Sequence, residues 1–447
     1  MNKLLTYSFI VFIFHIILGY AMTYDFISLI FTHTAFAFAI LHVIKTKNQN
    51  NEALLWAMYL VSFEVLMRMT DGLILHESIK YMVIILLGLG LLLEKNRPIP
   101  LIFLLYLLLM SVGIAFTQVP EGESIRKAIT FNLSGPFSLG FTALYTFNRK
   151  INKELLLQLL WVGSLPIVSL LVYLYMRTPN LRDIGFTTEA NFAASGGFGP
   201  NQVATILGFG IFLFTALILL KKRLSGFLFL DILILIYVTF RGFVTFSRGG
   251  IITAIIALVI LSFFYLLQMK ESLYHTLKFM VIAVVIGSGV WLYSSNITSG
   301  MLVNRYFNKT PTGEQNEDIS SGRIDIFNKD LQLFYDNPFF GVGVGSGKYL
   351  RAEEDDKIAA SHNEMSRLLS EHGLIGLMAL GLLLIIPLFN VFNNSLFYKG
   401  FVLAFYLFWL LTINHSAMRV AFPGFIYGLS LLIITQQIEE NNTIYRE

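Results

Sequence analysis

Long apolar runs alternate with short polar breaks along this chain, and that rhythm predicts its elements. About fourteen runs are long enough to cross a hydrocarbon core of roughly 30 Å as helices. They cover 4–20, 25–44, 53–69, 79–94, 99–116, 126–147, 155–176, 200–220, 225–244, 249–268, 275–294, 372–391, 396–413 and 420–436. Twelve to fourteen spans is the range the pattern supports, because the first runs and the pair meeting at 241–249 are the least sharply bounded. One stretch, 295–371, breaks the rhythm by staying polar. The expected fold is therefore an all-α polytopic membrane protein in three parts. Residues 1–294 form helices 1–11 with outer loops 177–199 and 241–248, residues 295–371 form a large outer loop containing short helices, and residues 372–447 hold the last spans and a cytoplasmic tail. Met1-Asn2-Lys3 and the apolar run after it could also pass for a signal peptide, with Gly19-Tyr20-Ala21 as a weak cleavage-like site. A retained first helix is simpler, since more membrane segments follow.

Composition agrees with the pattern. The chain has 447 residues, of which 55% are hydrophobic and 13% charged, with 41 Phe; soluble domains carry roughly 25% charge. Absence of cysteine excludes disulfides, thiolate nucleophiles and Cys-metal sites. The net charge of +4 gains meaning only by position. Lys45 and Lys47, Lys95 and Arg97, Arg149 with Lys150 and Lys153, Lys221 with Lys222 and Arg223, and Lys270 fall in every second connection. That alternation is the positive-inside pattern. It places both termini in the cytoplasm and 70–78, 117–125, 177–199, 241–248, 295–371 and 414–419 outside.

The outer connections nevertheless carry Arg177, Arg182, Arg241, Arg248, Arg305, Arg323, Lys348, Arg351 and Arg367. Such cations either hydrate a large loop or bind an anion. For Arg241 and Arg248, at helix ends in a short loop, anion binding is the favoured reading. Thr245-Phe246-Ser247-Arg248-Gly249-Gly250 joins two spans. Ser247 or Thr245 could cap the next helix, two glycines could admit a ligand or ease the helix start, and Arg248 would stand at the positive end of the dipole, suited to a diphosphate. An anchor that snorkels to headgroups is the alternative.

Ser320-Ser321-Gly322-Arg323 precedes Ile324, Phe327, Leu331 and Phe334 at helical spacing. This predicts an amphipathic helix lying on the membrane or on the bundle, capped by Ser320 or Ser321 and ended at Asp336-Asn337-Pro338. The glycines at 341, 343, 345 and 347 lack the third glycine of G-x-G-x-x-G at its place and have no strand–helix context, so a nucleotide fold is rejected. Ser361-His362-Asn363-Glu364 reads as a capping box, with His362 as first helical residue, kept neutral by the dipole and able to act as a general base. A lone histidine is more often structural; His15, His33, His42, His76, His275, His372 and His415 are read that way or as interfacial. Glu64 and Arg68, four apart in one span, read as an internal salt bridge ahead of a substrate role.

Taken in order, Ser247-Arg248-Gly249-Gly250, Arg323, Asn337-Pro338…Gly341-Val342-Gly343 and His362-Asn363…Leu369…Glu371…Gly373…Gly376 resemble the O-antigen ligase / polysaccharide polymerase superfamily. Gly196-Gly197-Phe198-Gly199-Pro200-Asn201 adds a further element, and the resemblance covers about 190–390. It implies a GT-C-type membrane glycosyltransferase of the bacterial plasma membrane. Such an enzyme moves glycan from an undecaprenyl-diphosphate-linked oligosaccharide donor to the hydroxyl of a glycan or lipid-linked acceptor at the outer face. His362 would be the base, and Arg248 and Arg323 would hold the diphosphate. Arg241, Arg182 and Arg351 stand in reserve, and Ser247, Asn201, Asn363 and Glu371 are further substrate-binding candidates. No metal and no cofactor is implied, and no carboxylate–histidine cluster has ligand spacing. Partners would be the lipid substrates and membrane lipid, with room for a chain-length regulator protein and none for nucleic acid. A polymerase is favoured over a ligase acting on a lipid A core. A flippase or transporter would show repeats and mid-membrane polar residues, which are not evident, and a peptidoglycan glycosyltransferase is disfavoured by the His-Asn motif.

Overall fold

The computed structural model describes residues 3–94, 97–178, 180–268, 273–316, 322–355 and 361–435. Among them are seventeen α-helices and two three-residue strands. The first group of helices is α1 (Lys3–Ala21), α2 (Asp25–Thr46), α3 (Glu52–Met69), α4 (Ser78–Leu93), α5 (Leu101–Val112), α6 (Ile125–Thr146), α7 (Lys153–Arg177), α8 (Pro200–Leu219), α9 (Leu228–Val244), α10 (Arg248–Gln268) and α11 (Leu273–Ile297). The polar stretch then supplies α12 (Met301–Tyr306), α13 (Arg323–Asp336) and α14 (Gly347–Asp355). The chain closes with α15 (Glu364–Phe392), α16 (Leu396–His415) and α17 (Phe422–Leu429). Six of these, α2, α7, α8, α10, α15 and α16, are long and apolar enough to cross a membrane. This is an all-α polytopic membrane protein. Lys95, Lys270 and the tail after 435 lie outside the described residues.

Thirteen of the fourteen expected spans coincide with helices. The exception is 420–436. It holds only the eight residues of α17, followed by β2 (Ile433–Thr435), which pairs in parallel with β1 (Lys150–Asn152) in the register Lys150↔Ile433. A helix that short rises about 12 Å, so this part of the chain crosses the bundle as helix, turn and strand. It is walled in by protein: every residue of α17 is buried, which lets non-helical backbone sit at this depth.

The glycine-rich segment after α13 docks on a break in α15. At Gly373 (φ 61, ψ −141) the helix is interrupted, and the strap satisfies the freed groups. Val342 N donates to Ser370 O at 2.9 Å, Gly343 N to Glu371 O at 3.1 Å, and Leu374 N to Pro338 O at 2.7 Å. Gly343 adopts φ 89, and a Cβ there would lie 2.2 Å from Phe116 O. Close backbone approach therefore explains the glycines without any phosphate.

Helix α13 lies on the bundle against α15, with Phe327, Leu331 and Phe334 part-buried as the spacing expects. Its buried residue is Asp330, at 0% exposure, while Ile324 is 58% exposed. Asp330 ion-pairs with Arg351 of α14 and accepts from Ser366 Oγ of α15 at 2.7 Å. Apolar periodicity left Asp330 off this face because it is a satisfied charge that fills the centre of the contact. The serines expected to cap α13, Ser320 and Ser321, lie outside the described residues; Gly322 (φ 75) immediately precedes the helix. The Glu64–Arg68 salt bridge forms as expected, at 2.6 Å and fully buried.

Candidate active site

Four segments converge at one end of the bundle: the α9–α10 turn, α12 with the start of α13, the residues before α15, and the turn after α16. The α9–α10 turn is tightly made. Phe246 is fully buried and holds φ 59, a left-handed conformation costing about 1–2 kcal/mol. Its ring stacks on Phe186 with centroids 5.2 Å apart. Ser247 Oγ donates to Asn201 Oδ1 at 2.7 Å, tying the turn to the start of α8. Arg248 is then the first residue of α10. The two glycines after it serve protein packing. A Cβ on Gly249 would meet the His415 ring at 2.5 Å, and one on Gly250 would meet Ala204 O at 2.1 Å. The helix start is thus pressed between α8 and α16.

Arg305 of α12 closes over this turn. Its Nε donates to Phe246 O at 3.1 Å, while Arg248 Nη1 donates to Arg305 O at 3.3 Å. Arg323 opens α13 nearby. The guanidiniums act on one another. Burial, then Arg248 and Arg323, depress Arg305; burial, then Arg248, depress Arg323; burial, then Arg323, depress Arg419 in the turn after α16. Opposing carboxylate charge comes from Glu189 on Arg305 and Glu364 on Arg419. Like charges packed this closely favour an anion among them.

His362 stands beside these cations, though not as the sequence suggested. The helix cap is Asn363, whose Oδ1 accepts from Met365 N at 2.8 Å and Ser366 N at 3.2 Å. Ser361 Oγ instead accepts from Asn363 N at 3.2 Å. The helix begins at Glu364, so His362 precedes the cap and is not the first helical residue. The ring is neutral for another reason. Burial first, then Arg419, Arg323 and His415, lower its pKa to about 4. Nδ1 is buried and has no hydrogen-bond partner. His362, Arg323, Ser361, Asn363, Phe327 and Asn414 line a cavity of about 230 Å³. Asn363 Nδ2 donates to Asn414 Oδ1 at 3.0 Å, which ties this wall to the end of α16.

Residues 233–381 match the family described as O-antigen ligase. The match spans about a third of the chain and supports a likeness to the O-antigen ligase/polymerase superfamily. The matched segment contains Arg248, Arg305, Arg323 and His362 and stops short of His415 and Arg419. No curated protein matches the chain. The match supports a ligase- or polymerase-type function, and the long apolar helices support a membrane protein.

Of the expected site residues, the structure brings Arg248, Arg323 and His362 together, with Ser247, Asn201 and Asn363 supporting them. The others are placed elsewhere. Arg241 is buried in α9, where Nη2 donates to Thr178 Oγ1 at 2.7 Å, Ala194 O at 3.0 Å and Leu174 O at 3.2 Å. Arg182 is exposed on the short turn Leu181–Asp183. Arg351 is committed to Asp330. Glu371 accepts from Arg367 Nη1 at 2.9 Å. Among the described residues no three His, Asp or Glu side chains gather as a metal site.

Sequence reasoning missed Arg305, His415 and Arg419. Arg305 was one outer cation among many, and no motif distinguishes it. His415 and Arg419 lie within the expected outer loop 414–419, where a basic residue on the translocated side was the available signal.

Proposed function

We propose that this protein is a polysaccharide polymerase of the GT-C type. It transfers glycan from undecaprenyl diphosphate to the hydroxyl of a lipid-linked repeat unit at the outer face of a bacterial plasma membrane. The observation that carries this reading is a neutral imidazole, His362, whose buried Nδ1 has no hydrogen-bond partner and which shares a cavity wall with Arg323 beside further arginines. The charge alternation along the loops supports cytoplasmic termini and an outward-facing position for this end of the bundle.

His362 takes the proton of the acceptor hydroxyl as that oxygen forms its bond to the anomeric carbon. The bond from that carbon to the diphosphate oxygen breaks, and its electron pair leaves with undecaprenyl diphosphate. The proton on His362 then returns to solvent. Arg248 and Arg323 meet the charge that grows on the leaving group; this electrostatic term is commonly the largest in such sites. No carboxylate sits in the motif as a nucleophile, so a single displacement with inversion follows. Arginine suits the task because its fork grips two phosphate oxygens and stays charged when half-buried. The protein's own residues would need no metal to do this.

The test is the set of lipid-linked intermediates in a deletion strain. Accumulated single repeats establish a polymerase. Long chains left on the carrier establish a ligase instead, and loss of outward-facing carrier glycan establishes a flippase.

A further inference from the structure

The turn 416–421, between α16 and α17, carries no motif, yet two buried carboxylates hold its backbone. Arg419 lies in its middle and exerts the largest charge effect on His362. Two carboxylates from separate helices grip the backbone on either side. Glu364 Oε2 accepts Met418 N at 3.3 Å, and Glu64 Oε2 accepts Ala421 N at 2.7 Å. Ala417, just before the first of these amides, takes the left-handed conformation, φ 50.

Glu64 is 0% exposed in α3, more than 350 residues from this turn in sequence. Arg68 holds its other oxygen at 2.6 Å and lies 4.0 Å from Glu77. Glu77 pairs with Lys80 at 2.5 Å and accepts from Ser134 Oγ at 2.9 Å. The turn is thereby referenced to α3, α4 and α6 as well as α15. A buried carboxylate is costly unless every oxygen is used. Here one oxygen of Glu64 is spent on the main chain two residues after an arginine that faces the general base.

We propose that Arg419 is a further contact for the diphosphate of the lipid-linked donor, and that Glu64 is a positioning residue that holds Arg419 in place through the Ala421 amide. This rests on the reading of the site given above. Arg419 supplies a cation on the side of His362 formed by α16 and its following turn, where it lines a cavity with Ser361, the residue before His362, and Glu364. It is fixed before substrate arrives, so little ordering remains to be done on binding.

The experiment uses the full chain in lipid nanodiscs, with undecaprenyl diphosphate as the probe and dissociation constants as the readout. Arg419→Ala should weaken binding by about 10- to 100-fold. Glu64→Asp keeps the buried charge beside Arg68 but withdraws the oxygen from Ala421, so the protein folds. It should weaken binding in the wild-type background and cause no further loss in an Arg419→Ala background. Glu64→Gln keeps an acceptor for the amide and should restore most of the affinity. Unchanged binding in Arg419→Ala overturns the diphosphate contact. An equal loss from Glu64→Asp in both backgrounds overturns the positioning role. His362→Ala should bind undecaprenyl diphosphate normally while losing transfer. If instead it remains active, the general-base reading fails, and the Arg419 result still stands on its own. Wild-type protein that does not bind the probe overturns both.

Discussion

Gly249 and His415 are in direct contact: a Cβ on Gly249 would lie 2.5 Å from the imidazole. The start of α10, which carries Arg248, is therefore set against the end of α16. The next glycine faces backbone instead, with Ala204 O at 2.1 Å from a built Cβ. Side chains yield more readily than backbone. Gly250→Ala should destabilise the protein by about 1–3 kcal/mol through overpacking, seen as a lowered unfolding midpoint in detergent. Gly249→Ala should cost less stability and more activity, because His415 must turn within the site. Equal stability losses for the two would show that the contacts are not as described.

His362→Ala should reduce polymer formation by about 10²- to 10⁴-fold, the usual contribution of a general base. Membrane insertion and yield should stay normal, since the ring makes no hydrogen bond through Nδ1. Near-normal activity would remove His362 from the mechanism.

The lowered His362 pKa, about 4, sets the acid limb of the rate profile. A base works in its neutral form, so kcat/KM should hold steady down through pH 6 and fall only near pH 4. A bound diphosphate adds negative charge and should move the limb for kcat upward. The same shift bears on stability with a definite sign. The unfolded chain takes up this proton below about 6.5, while the folded one refuses it until about 4. Stability from this group is complete above pH 6.5 and is lost as pH falls toward 4. A limb near 6.5 in free enzyme would contradict the burial and the facing arginines.

Arg351 and Asp330 form a buried pair between α14 and α13. Arg351→Ala leaves Asp330, at 0% exposure, without its cation and should cost about 3–5 kcal/mol. Replacing both, as Asp330→Leu with Arg351→Met, should recover much of that loss. Arg182→Ala, on an exposed turn, should change neither stability nor activity. A stable but inactive Arg351→Ala would instead mark a substrate contact.

Arg248→Lys tests the grip on the diphosphate. Lysine keeps the charge but lacks the planar fork. Transfer should fall well below wild type, with kcat affected as well as KM, because the leaving group carries more charge in the transition state than in the bound substrate. Full activity would mean that a point charge suffices.

The order of the spans follows from local physics and was legible along the chain. A run of about 20 apolar residues has few stable options in lipid, so thirteen of fourteen expected segments are helices. The fourteenth was misjudged because composition alone cannot distinguish a helix facing lipid from backbone walled in by protein. The His362 cap shows the same limit at short range. Serine and glutamate three apart satisfy the capping-box pattern, yet Asn363 is equally able to cap and won the contest.

Hydrophobic pattern and charge alternation by themselves determined the class of this protein and the extent of its polar segment, while short motifs that resemble a family singled out Arg248, Arg323 and His362. Each depends only on neighbours in the chain or on the solvent around them. Tertiary structure alone decided what those residues meet. It spent Arg241 and Arg351 on the protein's own acceptors, made neutral His362 a consequence of burial and facing arginines, and brought Arg305 and Arg419 to the cluster. A charge's partner lies wherever packing places it, and for Glu64 that is an amide in the turn beside the site.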